Sequence, residues 1–390
     1  MVTQAVFLLE KADNPFLMKI RLLPILAFVT FLFPFNFCFA QLNSQAKPVI
    51  DEFEKELSAG ISHENLHVGI SVAILKDGKL IWLHAYGFAK REGETPADTN
   101  TIYRIGSITK TFTAVLLMQL VQEGKIELDD PVEHYLPEIK KLNGYADAGT
   151  ITFRQLASHT SGLKREPDMN NADVGPLSQW EKKLISCIPY TSFNSKPGEA
   201  FLYSNIGYAL LGLALSRVTG VPYITMVQQR IFTPLNMNDT FFALPDDKRS
   251  RLAEGIDNNN KGTVNTSLPL KEIEGRGYRV PNGGIFSTPR DLSKFVASLM
   301  GTPQLLSSKS MDQMQVVPPG GKNYGMGLAL YHKDGVNIIG HNGSVPGYTA
   351  QFAIEKQSGY AVIIMRNYNS GLIDLERTAY NLLKLLKNAE

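Results

Sequence analysis

Only two cysteines, Cys38 and Cys187, occur among the 390 residues. Removal of an N-terminal segment through Ala40 leaves Cys187 alone, so the processed chain can form no internal disulfide. A chain of this length buries a core large enough to need no such staple. A lone cysteine in such a core reads as a small buried hydrophobe, not a nucleophile. Neither sign of charge is in excess, with 39 basic residues against 37 acidic ones. That balance supplies no field for nucleic acid or an anionic membrane. Internal repeats and long low-complexity tracts are also missing, and Asn-Asn-Asn-Lys-Gly at 258–262 is the clearest polar loop. A Gly-x-Ser-x-Gly nucleophile turn is absent; the nearest approach, Gly-Ile-Ser-Val-Ala at 69–73, lies inside an alternating strand pattern.

The N-terminus reads as an address. Met18-Lys19-Ile20-Arg21 is a basic start, residues 22–35 are an apolar run, and Cys38-Phe39-Ala40 before Gln41 fits a small-x-small cleavage site. The expectation is a signal peptide at 18–40, a non-native upstream extension at 1–17, and a periplasmic or secreted mature chain at 41–390. The alternative is a membrane anchor over 20–40, because the apolar run approaches the ~20 residues that span a bilayer. Pro24, Pro34 and the Ala40 site favour cleavage, and the bulky Phe35-Asn36-Phe37 argues against lipidation of Cys38.

What the chain does contain is three short polar clusters, Ser107-Ile108-Thr109-Lys110, Tyr203-Ser204-Asn205 and His341-Asn342-Gly343-Ser344. Their order and approximate spacing are those of a serine hydrolase whose base is a lysine–tyrosine pair. In the first cluster, residues three apart on a helix are surface neighbours, with Cβ atoms ~5–6 Å apart. Ser-x-x-Lys alone is a weak signal, since Ser44–Lys47 and Ser161–Lys164 match it too. Pro48 speaks against a helix continuing through the former, and Gly162 and Pro167 against one carrying the latter. Only Ser107 heads a long helical pattern, 109–123, closed by Gly124. There, free N–H groups and the helix dipole favour developing negative charge.

Serine needs a neighbour to take its proton, and Lys110 can do so only when substantially neutral. Taken alone, Lys110 reads better as an exposed helix lysine. Tyr203 precedes the helical pattern 206–218, where Ser204 or Asn205 could serve simply as the N-cap. A phenol beside an ammonium can have its pKa lowered and pass protons between serine and leaving group. Asn205 offers an amide to orient Lys110 or to hold a substrate carbonyl. His341-Asn342-Gly343-Ser344 ends a strand pattern, and glycine there marks close approach by a ligand or a simple bulge. The Ser344 N–H could then join that of Ser107 as a second oxyanion donor. His341, with a free pKa near ~6.5, should lose its pull on a substrate carboxylate above neutrality. His63-Glu64-Asn65-Leu66-His67 matches a zinc-protease pattern, but the strand pattern starting at Val68 leaves barely one turn of helix for it. No metal and no cofactor is assigned.

A helix is expected over 49–57, then strands over 68–75 and 79–85 joined by Lys76-Asp77-Gly78-Lys79, a hairpin signal. Strands over 336–340, 349–354 and 361–366 and a helix over 372–387 close the chain. The fold class is therefore α+β, an antiparallel sheet built from both chain ends and flanked by helices. A mostly helical lobe, about 112–299, is inserted in the α/β lobe of about 49–111 and 300–390, with the site in the cleft between them.

With these residues in place, the chain over about 49–387 resembles the serine β-lactamase-related family. That family includes class C β-lactamases, D-alanyl-D-alanine carboxypeptidases, related esterases and other penicillin-binding-protein-like enzymes. Tyr103-Arg104-Ile105-Gly106, residues 128–132, 151–163, 234–237 and 283–288, and Asp291-Leu292 are similar to family segments. The resemblance implies an acyl-enzyme on Ser107, Lys110 and Tyr203 as the base pair, and substrate recognition at His341–Ser344 with Asn205. Class C β-lactamases carry Lys-Thr-Gly where this chain has His-Asn-Gly, which weakens a dedicated β-lactamase reading. Asn342 also lacks the hydroxyl that binds a substrate carboxylate. The expectation is an exported serine hydrolase acting on peptide, amide or ester bonds, plausibly D-amino-acid cell-wall peptides. A β-lactamase or small-ester esterase of the same family is the alternative, and a catalytically silent penicillin-binding sensor or scaffold the second. The partner is a small-molecule or peptide substrate, not nucleic acid, with a membrane only if the N-terminal segment stays uncleaved. Oligomeric state is left open.

Overall fold

The computed structural model describes residues 45–64, 66–258 and 264–389. The expected signal peptide at 18–40, the extension at 1–17 and Ser44 lie outside the described residues. Helix α1 (Ala46–His63) starts the described chain. It is longer than expected, because Pro48 sits in the first turn, where a missing N–H breaks no helical hydrogen bond. Strands β1 (Gly69–Lys76) and β2 (Lys79–Lys90) form the anticipated hairpin. Asp77 and Gly78 both have positive φ, 49° and 72°, as a primed turn requires. β2 then pairs with the short β3 (Thr95–Pro96).

The chain returns to this sheet only near its end, with β4 (Ala329–Lys333), β5 (Val336–Val345), β6 (Tyr348–Glu355) and β7 (Tyr360–Arg366). β7 pairs with β1 from Ile70↔Arg366 to Lys76↔Tyr360, so the two chain ends close one antiparallel sheet of order β3-β2-β1-β7-β6-β5-β4. β4 was not anticipated, and the strand expected over 336–340 continues to Val345. The third polar cluster therefore lies within a strand, not at its end.

Period-two alternation gives this sheet two buried faces. Ile70, Val72, Ile74, Val362 and Ile364 pack under α1 and the closing helix. Ala73, Leu75, Phe352, Ile363 and Met365 join the main core with the inserted helices. Those include α2 (Thr109–Gln122), α3 (Asn205–Thr219) and α4 (Pro289–Leu299). Every residue of α2 from Thr109 to Leu120 is buried, polar ones included, which marks it as a central core helix. The last helix, α5 (Leu375–Asn388), starts at its N-cap Asp374, which accepts from Arg377 N–H. The observed architecture is the expected α+β class.

Leu383 on α5 is fully buried against the sheet. Leu383→Ala should cost about 2–5 kcal/mol, the range for leucine truncation in a packed core. Urea unfolding should show it as a lowered midpoint, with active-site labelling of the folded protein unchanged.

Candidate active site

The turn Gly106–Ile108 leads directly into α2 and presents Ser107, half-buried, at the start of that helix. One helical turn later Lys110 is fully buried, and its Nζ lies 3.0 Å from Ser107 Oγ. Two further atoms hold the amine, Asn205 Oδ1 at 2.8 Å and the Asn282 carbonyl at 2.9 Å. Both are oxygens without a proton to give. Nζ thus has three oxygen partners, Ser107 Oγ among them; in a neutral amine the two pure acceptors would take both N–H groups and leave the lone pair to the Ser107 hydroxyl. Burial is the main cause pushing the Lys110 pKa well below the lysine range, helped by the cations Arg165, Arg276 and Arg279 and opposed by Glu166. The arrangement favours a serine beside a free base.

Ser204 is the N-cap of α3, accepting from Gly207 N–H at 3.0 Å. Capping by Ser204 frees the next residue, Asn205, for Lys110. The far end of the Asn205 amide donates to Glu166 Oε1 at 2.5 Å. Glu166 also accepts from the Tyr278 hydroxyl and pairs with Arg279 at 3.1 Å. Both ends of Asn205 are thus engaged with protein.

The Tyr203 ring lies 4.9 Å from Lys110 Nζ and 4.8 Å from the Arg165 guanidinium, with the Ser107 side chain near its hydroxyl. The expected lowering of its pKa is not found. Burial pushes the phenol up to about 12, overriding the opposing pull of Ser107 and Arg165. Tyr203 is therefore a protonated phenol at neutral pH.

The third cluster is divided by the strand period. His341 and Gly343 are buried, while Asn342 and Ser344 are exposed. His341 Nδ1–H donates to the Asn342 carbonyl at 2.5 Å, which leaves Nε2 to accept from the Tyr324 hydroxyl at 2.8 Å. Burial, with Lys110 nearby, pulls His341 down to about 3, so it carries no charge at neutral pH. The expectation of a histidine cation fading near neutrality is corrected, because desolvation has already removed that charge.

A Cβ on Gly343 would stand 1.9 Å from the Ile105 carbonyl and 3.0 Å from Ser107 N. One on Gly106, at φ 51°, would stand 2.8 Å from Ser344 N. The strand and the Ser107 turn touch backbone to backbone, which only glycine permits. Val345 and Tyr348 flank a two-residue turn and form a hydrogen-bonded pair. The alternation of antiparallel pairs then turns the Ser344 N–H away from β6, toward Gly106. The amides of Ser107 and Ser344 meet at this contact.

The competing motifs go elsewhere. Lys47 pairs with Asp51 at 2.6 Å and Lys164 with Asp168 at 2.5 Å, while Ser161 is buried with its hydroxyl unpartnered. α1 ends at His63, and His67 lies beyond it at φ 49°, stacked on Phe88, so no helix face carries both histidines. Cys187 is buried, its thiol pushed up to about 11 by desolvation.

Sequence reasoning missed Glu166, Asn282 and His159 as parts of this site. Fully buried His159, at φ 61°, accepts from Ser204 N–H through Nδ1 at 3.0 Å and packs 4.1 Å from the Tyr203 ring. Its position in a Ser-His-Thr-Ser-Gly stretch was the only available signal, and the contact is purely tertiary.

A protein-family model described as "Beta-lactamase" matches residues 50–387. Beta-lactamase-like protein 4 of Dictyostelium discoideum is 33% identical over 281 residues, which cover 65% of this chain and 48% of that protein. The chain spans about half to two thirds of the length of the curated relatives it matches. Among solved structures, the octameric penicillin-binding protein homologue from Pyrococcus abyssi superposes with a TM-score of 0.73 at 28% identity, covering 87% of this chain and 77% of that one. The D-amino acid amidase from Ochrobactrum anthropi, solved with D-phenylalanine, gives 0.74 at 26% identity, covering 88% and 100%.

Arg165 helps to hold Lys110 neutral, so Arg165→Gln should raise the lysine pKa. The acid limb of Ser107 labelling by a fluorophosphonate, plotted against pH, should move to higher pH. The Arg165 side chain is 64% exposed, so salt should shrink the difference. Identical profiles for variant and wild type at low salt would contradict the electrostatic account.

Proposed function

The chain belongs to the beta-lactamase family, and on that premise we propose an exported acyl-transfer hydrolase that cleaves amide or ester bonds of D-amino-acid peptides through an acyl-enzyme on Ser107. The observation that carries this reading is the Lys110 amine, whose two N–H groups are taken by Asn205 Oδ1 and the Asn282 carbonyl. Its lone pair is then directed at the serine proton, which makes Lys110 the general base for attack. The oxygen of the attacked carbonyl would sit between the Ser107 and Ser344 amides. Each such donor is worth roughly 10²–10³ in rate. Tyr203, a neutral phenol in contact with Ser107, is suited to hand its proton to the leaving group and recover it through Lys110. Water would then release the acyl group by the same steps in reverse order.

Substrate class is the finer part of the proposal. The D-amino acid amidase likeness supports a D-configured residue at the acyl position. A neutral His341 leaves the third cluster without the cation that Lys-Thr-Gly would supply, which disfavours a dedicated β-lactamase. Export rests on the basic, apolar and Ala40 features of residues 18–40.

Intact-mass detection of a fluorophosphonate adduct, lost in Ser107→Ala, tests the nucleophile. Tyr203→Phe should fold normally and lose ~10²–10⁴-fold in turnover, the usual contribution of a positioned acid–base group. Among substrates, D-amino-acid amides and peptides should be turned over faster than nitrocefin. Nitrocefin turnover far above both, with no accumulating adduct, would restore the β-lactamase reading.

A further inference from the structure

Beside the loop that holds Lys110, the fold buries two arginines against one shared carboxylate. Arg104 and Arg276 are 1% and 8% exposed, and both approach the same carboxylate oxygen, Glu272 Oε2. Arg104 Nη1 donates to it at 2.7 Å. Arg276 Nε lies 2.9 Å from it, but its N–H is not aimed there and has no hydrogen-bond partner. The other hydrogen bond of Arg276 runs from Nη1 to the Gly283 carbonyl at 2.9 Å. Two guanidiniums carry ten N–H donors and cannot shed their charge at neutral pH. Among the described residues, these two bonds are all that they make. Glu272 is the carboxylate that both buried cations contact, and Asp173, which pairs with Arg279, also acts on Arg276, so the shortage at the two arginines is of hydrogen-bond acceptors.

The two arginines line a cavity of about 150 Å³, large enough for a small ion. Phe242 and Phe286 form apolar wall, while Arg249 and Glu274 stand at its rim. Arg279 also borders the cavity, but its charge is already matched by Glu166 and Asp173. Burial and the neighbouring Arg104 pull Arg276 down to about 9, against the opposing pull of Glu272 and Asp173.

We propose that this cavity is a binding site for a small carboxylate, whose anionic head pairs with Arg104 and Arg276 and whose apolar part lies against Phe242 and Phe286. The site reaches the catalytic lysine through two adjacent carbonyls, because Arg276 holds Gly283 and the preceding Asn282 carbonyl holds Lys110. The charged or titratable groups acting on Lys110 are Arg165, Glu166, Arg276 and Arg279, with His159 and His341 close by and neutral. An anion paired with Arg276 removes part of the positive field there. Lys110 then keeps its proton to higher pH, and Ser107 is slower to react on the acid side.

Trifluoroacetate, observed by fluorine NMR in a buffer of bulky sulfonates at constant ionic strength, is the probe. Wild-type protein should broaden the signal saturably, and acetate should displace the probe. Arg276→Gln should abolish the effect. Arg249→Glu, an exposed change at the rim, should weaken it about tenfold, which guards against misfolding of the buried variant. Saturating trifluoroacetate should also slow fluorophosphonate labelling on the acid limb of wild type. No saturable broadening, or equal broadening by Arg249→Glu, would overturn the site. Displacement by phosphate but not acetate would overturn the carboxylate assignment. Saturable binding without any change in labelling rate would overturn the link to Lys110.

Discussion

A lysine amine sealed inside the protein, with two oxygens taking its hydrogens and one serine left for its lone pair, is the constraint that organises this molecule. Lys110 can be a base only if it is dry, and being dry requires everything around it to be in place. α2 is buried on all sides to supply that dryness, which is why a core helix carries Lys110, Thr111 and Thr113 within it. Ser204 caps α3 so that Asn205 is free to turn inward. The loop before α4 lends the Asn282 carbonyl. A sheet joined from both chain ends brings Gly343 against the nucleophile turn. Each of these serves one hydrogen-bonded nitrogen.

Electrostatics adds to the dryness. Arg165, Arg276 and Arg279 surround the amine, and Glu166 alone opposes them. Most of Glu166 is spent on Asn205, Tyr278 and Arg279, so its charge is partly balanced before it reaches Lys110. The same burial sets the protonation of the neighbours. Tyr203 stays a phenol and His341 stays a neutral imidazole, since neither finds a charge partner that repays desolvation. A site with a lysine of depressed pKa, a protonated phenol and a neutral imidazole holds its fixed positive charge in arginines around it. That distribution suits proton transfer within the cleft, where a charged lysine could not accept the serine proton.

Local features were legible in the sequence, and tertiary ones were not. Ser107 and Lys110 are three apart on a helix whose pattern and glycine stop are written in adjacent residues. The Asp77-Gly78 hairpin is likewise decided by two residues, alternation revealed β1, and short apolar segments revealed β6 and β7. Pro48 misled because the rule against proline applies to helix interiors, and here it sits in a first turn. β4 was missed because its hydrophobic positions are only half-buried at the sheet edge, which leaves little pattern to read. Glu166, His159 and Asn282 come from loops whose neighbours in the chain say nothing of Lys110. The direction of the Tyr203 shift was misjudged, and His341 was given its free value, because sequence gives charges without burial. For both groups, burial is the larger effect.

The central claim is that Lys110 is a free amine in the resting protein. Its direct test is a pH titration of the Lys110 ε-carbon by carbon-13 NMR in lysine-labelled protein, assigned by the signal missing in Lys110→Gln. The account predicts a midpoint well below the ordinary lysine value of about 10.4, separate from the surface lysines. A Lys110 signal that titrates together with those surface lysines would contradict it.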